Sequence, residues 1–146
     1  MINLLIILSF RILTSQFSLN DNFVDLSAYK WKNRIILVFP DLPDESTGKQ
    51  QIETLLVNKK ELEDRNLVIF KILNDDTATS LISGESFKFK NDFYKQFKVE
   101  RGFFRILLIG KDGTVKLNSD NRVEPRQIFT LIDSMPMRQS EMSKNP

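Results

Sequence analysis

The chain has 146 residues, 41% hydrophobic and 27% charged, with 21 Lys and Arg against 19 Asp and Glu. That balance describes one folded domain, and a net charge of +2 marks neither a strongly basic nucleic-acid binder nor an acidic tail protein. Cys and His each number 0, which excludes thiol chemistry, disulfides, thiolate or imidazole metal sites and acid–base schemes built on imidazole.

The chain opens on a short apolar run over residues 2–10, interrupted at Arg11 and resumed by Ile12 and Leu13. A membrane-spanning helix needs about 20 apolar residues, so this run suits the hydrophobic region of a secretory signal instead. Thr14, Ser15 and Gln16 offer a cleavage region. Residues 1–16 are therefore expected to be a signal peptide directing the protein to the periplasm or outside the cell. The competing reading is an N-terminal strand or helix packed on the domain. The mature domain is expected over 17–142, with no transmembrane span.

Phe23, Val24, Leu26, Tyr29 and Trp31 supply apolar anchors, and Trp31 is expected to pack against a sheet. Arg34–Phe39 is an apolar, β-branched run that suits a strand buried on both faces. The turn-rich segment from Pro40 to Gly48 ends it. Between Lys49 and Arg65, Ile52, Leu55, Leu56, Val57 and Leu62 recur at helical spacing. Leu67–Leu73 is a second buried strand, followed by a polar stretch, Thr77 to Ser86, read as a loop. Asn91 to Val99 can form a short helix, with Phe93 and Phe97 on one side. Phe103–Ile109 is a third strand; the turn Gly110-Lys-Asp-Gly113 returns it through Thr114–Leu117 as a hairpin. Pro125 opens a last helix carrying Ile128, Phe129, Leu131 and Ile132. From Met137 the chain is polar and expected to fray, with a disordered tail at 143–146.

This order, β-α-β-α-β-β-α, predicts an α/β fold on the thioredoxin-like plan. Its mixed four-stranded sheet is flanked by helices, with strands one and two parallel through a right-handed crossover. Three stretches carry a family resemblance: Tyr29–Phe39, Ile109–Lys116 and Ile132–Met142, the last with its Met-Pro-Met-Arg before Glu-Met. Together they resemble the DUDES-type domain of unknown function. That domain is found as short exported bacterial proteins and within vertebrate matrix and sushi-repeat proteins such as equarin. The resemblance spans about Leu26 to Met142 and implies a thioredoxin-like, peroxiredoxin-related fold, with no activity to carry over.

Thioredoxins place two thiols after the first long strand. Counting from Phe39, those positions fall near Asp44 and Thr47, neither of which can form a thiolate. Phe104 holds the place of the thioredoxin cis-proline, where a trans bond is expected.

Two clusters are candidate sites. Asp41, Asp44 and Glu45 follow strand one and Asp75 and Asp76 follow strand two, so five carboxylates could meet at one sheet edge as oxygen ligands for Ca²⁺ or Mg²⁺. Strand ends favour Asp anyway, and the spacing matches no dedicated calcium loop. Phe87, Phe89, Tyr94, Phe104 and Arg105 interleave rings with cations. Single-stranded nucleic acid is bound by such mixtures, but a small core also needs its rings, and a protein-contact patch is the better use of any that are exposed. Trp31 with Lys30, Lys32 and Arg34 is a candidate cation–π contact or ligand platform. Arg138 and Glu141 could belong to a binding motif, or Arg138 could answer a helix dipole.

The reading is thus an exported, non-redox binding or interaction module with no cofactor, a protein partner and no nucleic acid. The alternative class is a cation-dependent carboxylate enzyme or cation-binding protein.

Overall fold

The computed structural model describes residues 23–145, Asp76 excepted. The expected leader at 1–16 lies outside them. One sheet organises the molecule. Its strands are β1 (Phe23–Val24), β2 (Arg34–Phe39), β3 (Leu67–Ile72), β4 (Thr77–Ser80), β5 (Ser86–Phe89), β6 (Arg105–Ile109) and β7 (Val115–Ser119). Across the sheet they run β1-β5-β4-β3-β2-β6-β7. β2 and β3 are parallel, β2 and β6 antiparallel, and β6 and β7 form the expected hairpin.

The four expected strands are the contiguous block β3-β2-β6-β7, and the sheet has seven strands because β1, β5 and β4 extend it. β4 lies in the stretch expected to be a loop. Its sequence Thr-Ala-Thr-Ser is polar, yet Ala78 and Ser80 are buried while Thr77 and Thr79 are half-buried, the period of a strand. Polarity hid the alternation, and β-branched threonines suit a pleated surface.

Alternation also divides the core. Ile35, Leu37 and Phe39 of β2 face one side with Phe70, Leu107 and Phe89. Ile36 and Val38 face the other with Ile69, Ile106 and Leu108. The first side is covered by a 3₁₀ turn at Leu26–Tyr29 and by α3 (Phe93–Gln96). The second is covered by α1 (Ser46–Leu56), α2 (Lys59–Asp64) and α4 (Pro125–Asp133). Rings fill the first side edge to face: Phe39 on Tyr94 at 5.0 Å and Phe70 on Phe89 at 5.6 Å between centroids.

The single helix expected over Lys49–Arg65 is two. Asn58 ends the first, its Nδ2 donating to the Thr54 carbonyl at 2.8 Å, while Thr54 Oγ1 donates to the Gln50 carbonyl at 3.0 Å. Such side chains compete with the backbone ladder.

Two further corrections concern the ends. Trp31 does not pack against the sheet: it is 61% exposed, at φ 65°, in the turn that precedes β2. The chain beyond Met137 does not fray. It forms α5 (Pro136–Lys144), so Ser143 and Lys144 of the expected disordered tail are helical. Among the described residues no helix is long and apolar enough to cross a membrane.

Candidate functional site

The corner where related folds keep their thiols lies at the C-terminal end of β2. Phe39 runs into Pro40, and a cis Leu42–Pro43 bond and a left-handed Glu45 (φ 57°) lead into α1. Asp41 Oδ1 accepts the Gly48 N–H at 2.9 Å and Oδ2 accepts the Thr47 N–H at 3.2 Å. Burial opposes ionisation of Asp41, but the donors of Gly48 and Thr47 override it and hold the carboxyl at about 2. A carboxylate thus fills the positive end of the helix, where a reactive thiolate would otherwise be stabilised. The peptide before Phe104 is trans, as expected.

The acidic residues do not assemble. Asp44 accepts the Ser46 N–H, Glu45 pairs with Lys71, and Asp75 accepts from both the N–H and the hydroxyl of Thr77. Each carboxylate has a separate partner, Asp44 and Asp75 in their own turns and Glu45 on β3, and among the described residues no group of three acids forms a metal cage; Asp76 lies outside them.

The basic–aromatic cluster is not a surface patch either. Phe89, Tyr94 and Phe104 are buried at 5%, 3% and 7% exposure. Phe87 and Arg105 are half-buried, the first packed on the core and the second donating to Asn118 Oδ1 at 2.9 Å. Phe87-Lys-Phe-Lys reads as rings and cations in sequence, but it is an alternating strand whose rings turn inward.

A denser constellation lies at the other end of β2, about 17 Å away at the usual rise of a strand. Arg34, the first residue of β2, is 1% exposed, and Arg65 and Arg138 are 7% and 6% exposed. Buried cations need partners. Arg34 donates through Nη1 to the Arg65 carbonyl at 2.9 Å and to Glu141 Oε2 at 3.1 Å. Arg65 grips Asp133 with Nε at 3.0 Å and Nη2 at 2.6 Å, and reaches Glu61 Oε2 at 2.6 Å. Its guanidinium lies 4.7 Å from the Phe129 ring centre. Arg138 shares Asp133 at 3.1 Å, donates to the Asp64 carbonyl at 2.9 Å and pairs with the Asp64 carboxylate. Lys111 bridges Glu141 Oε1 at 2.6 Å and Asn66 Oδ1 at 2.8 Å. Burial works against ionisation of Glu141 and Asp133. Lys111 and Arg34 around the first, and Arg65 and Arg138 around the second, more than offset it and lower both carboxyls below their ordinary range.

Beside this hub, between the β6–β7 turn and the first turn of α5, opens a cavity of about 320 Å³. Its wall draws Arg34 from the stretch Tyr29–Phe39, and Gly110, Lys111, Asp112 and Lys116 from Ile109–Lys116. Met135, Pro136 and Met137 complete it from Ile132–Met142. Every wall residue therefore comes from one of the three stretches that carry the family resemblance. Trp31 adjoins the place, its N–H donating to the Lys111 carbonyl at 2.6 Å.

The sequence offered parts of this site separately, Arg34 beside Trp31 and Arg138 with Glu141, but did not join them to each other or to Arg65, Lys111 and Asp133. A charged residue heading a run that is otherwise buried on both faces was the available signal.

The fold and this site define a thioredoxin-like domain without a thiol site. The chain belongs to the family described as Domain of unknown function (DUF4174), which it matches over residues 25–141. It is 27% identical over 139 residues to Coiled-coil domain-containing protein 80 of Danio rerio, covering 84% of this chain but only 16% of that protein's length. Among solved structures it is similar to the reduced 2-Cys peroxiredoxin of Plasmodium vivax. There the TM-score is 0.58 at 16% identity, over 80% of this chain and 85% of that one. The mitochondrial 2-Cys peroxiredoxin of Plasmodium falciparum gives a TM-score of 0.57 at 16% identity, over 84% and 86%. At that identity the likeness concerns the fold, and it agrees with the thioredoxin-like plan expected from element order.

Proposed function

We propose that this domain is an exported, non-redox binding module that engages its ligand or partner at the junction of β2, the β6–β7 turn and α5. One observation carries the reading: all three stretches of family resemblance meet around one cavity beside a hub of buried arginines. Thiol-based redox catalysis has no residue to perform it, since Cys numbers 0, and Asp41 fills the helix terminus that would activate a thiol. The match to a small fraction of a larger relative suits a domain that works as a module. The apolar run over residues 2–10 supports export, and a mature N-terminus near Phe17, found by mass spectrometry of the secreted chain, tests that part.

A photo-crosslinking residue tests the binding face. Met137 at the cavity and Leu42 at the thiol corner are 39% and 44% exposed, so each serves as the other's control. Placed at either position in the cell that makes the protein, the probe should form adducts from 137 and not from 42. Adducts from 42 alone, or from neither, overturn the assignment.

A further inference from the structure

We infer that the cavity between the β6–β7 turn and α5 binds a small organic acid, an oxyanion head group on a short apolar body. This deepens the binding reading above and rests on it. Four features of the wall point the same way.

First, Arg34 has more donors than acceptors. Its Nη1 and Nη2 reach the Arg65 carbonyl and Glu141. Among the described residues its Nε–H finds no acceptor, although the side chain is 1% exposed. A buried unmet donor is costly, and it leaves the cation in the cavity wall short of one acceptor.

Second, the positive end of α5 is open. Met135 at the N-cap makes no side-chain cap bond, and the first turn holds no acidic residue. Pro136 has no N–H, so the amides of Met137 and Arg138 are the ones a helix of this kind leaves for an anion.

Third, Lys111 and Lys116 stand in the same wall. The acids facing them have other engagements. Glu141 bridges Arg34 and Lys111, while Asp112 holds Lys116 at 2.9 Å and also accepts the N–H and hydroxyl of Thr114. A ligand therefore meets the helix amides and the outer face of the Lys116–Asp112 pair, with the Arg34 guanidinium in the wall behind them, rather than a vacant carboxylate.

Fourth, Met135, Pro136 and Met137 make one wall apolar, and a volume of about 320 Å³ lies at the small end of ligand sites. A head group alone would leave that wall in water, whereas a chain of a few carbons covers it.

Amide NMR of the full chain, titrated with hexanoate, acetate and hexylamine in turn, tests the assignment. Hexanoate should shift the amides of residues 110–116 and 137–138 saturably. Acetate should act at the same amides at least tenfold more weakly, and hexylamine should leave them unmoved. Met137→Glu should weaken hexanoate at least tenfold without lowering the urea midpoint, because a carboxylate in the first turn suits the helix dipole. Should that variant fail to fold, Lys116→Gln, expected to weaken binding about fivefold, serves instead.

Hexylamine acting as well as hexanoate overturns the anion assignment, as do hexanoate shifts centred on residues 40–48. No shift from any probe while adducts still form at position 137 overturns the ligand class alone. No shift and no adduct overturns the binding face as well.

Discussion

Arg138→Met removes the group that fastens α5 to the domain. Arg138 is the buried residue of that helix, and a helix of 9 residues has marginal stability by itself in water. The substitution deletes the donors to the Asp64 carbonyl at 2.9 Å and to Asp133 at 3.1 Å, and the pair with the Asp64 carboxylate. Charge-assisted hydrogen bonds contribute about 1.5–3 kcal/mol each where desolvated. Here the abandoned carboxylates stay in reach of water, the Asp64 side chain at 61% and Asp133 at 32% exposure. The penalty for stranding a charge is therefore smaller than the roughly 3–5 kcal/mol of a fully buried pair. The net expectation is a loss of about 2–3 kcal/mol, or about 10 °C in Tm for a domain of this size. Urea unfolding gives the magnitude. Hydrogen exchange gives the location: amides of Arg138–Lys144 should lose protection beyond the global change, because Glu141 leaves Arg34 and Lys111 with the helix. Combined with Asp133→Asn, the pair should couple by at least about 0.5 kcal/mol. A variant within about 0.5 kcal/mol of the parent, with α5 still protected, would mean that Arg138 does not hold the helix in place.

The acid limb of stability should report the same hub. Asp133 and Glu141 are lowered in the folded state. Their contribution is therefore present above the ordinary carboxylate range and is lost as pH falls through that range toward the folded values. Urea midpoints measured from neutral pH downward should drop there, and Asp133→Asn/Glu141→Gln should flatten the drop; an unchanged slope counts against the hub. Asp41→Ala should cost about 1–2 kcal/mol through loss of the caps at Thr47 and Gly48, with exchange accelerated in the first turn of α1; a neutral result removes that role. Trp31→Gly should stay within about 1 kcal/mol of the parent, since the ring is 61% exposed and φ is 65°, whereas a core tryptophan would cost several times that. Millimolar Ca²⁺ or Mg²⁺ should leave Tm unchanged in the parent, Asp44→Asn and Asp75→Asn alike, because those carboxylates already accept from Ser46 and Thr77; a rise of several degrees would restore a cation site.

Strands that are buried on both faces announce themselves. Arg34–Phe39, Leu67–Ile72 and Arg105–Ile109 are nearly continuous apolar runs, and they set the α/β class and the parallel pair at the centre of the sheet. β4 was illegible because threonine and serine can line a strand as well as a loop. α5 was illegible for a different reason. Amphipathic patterning reports helices held by apolar faces, and this one is held by an arginine and a glutamate. Phe89 and Tyr94 sit in the core, the use a small domain has for its rings, whereas Trp31, expected against the sheet, lies on the surface. The site depends on contacts between residues 34, 65, 111, 133, 138 and 141, and separations of that order leave no local pattern.

A crystal structure of the full chain grown with hexanoate should place the carboxylate between the first turn of α5 and the side chains of Arg34 and Lys116, with its chain against Met135 and Met137. Hexanoate seated instead at the Pro40–Gly48 corner, with this cavity empty, would contradict that assignment.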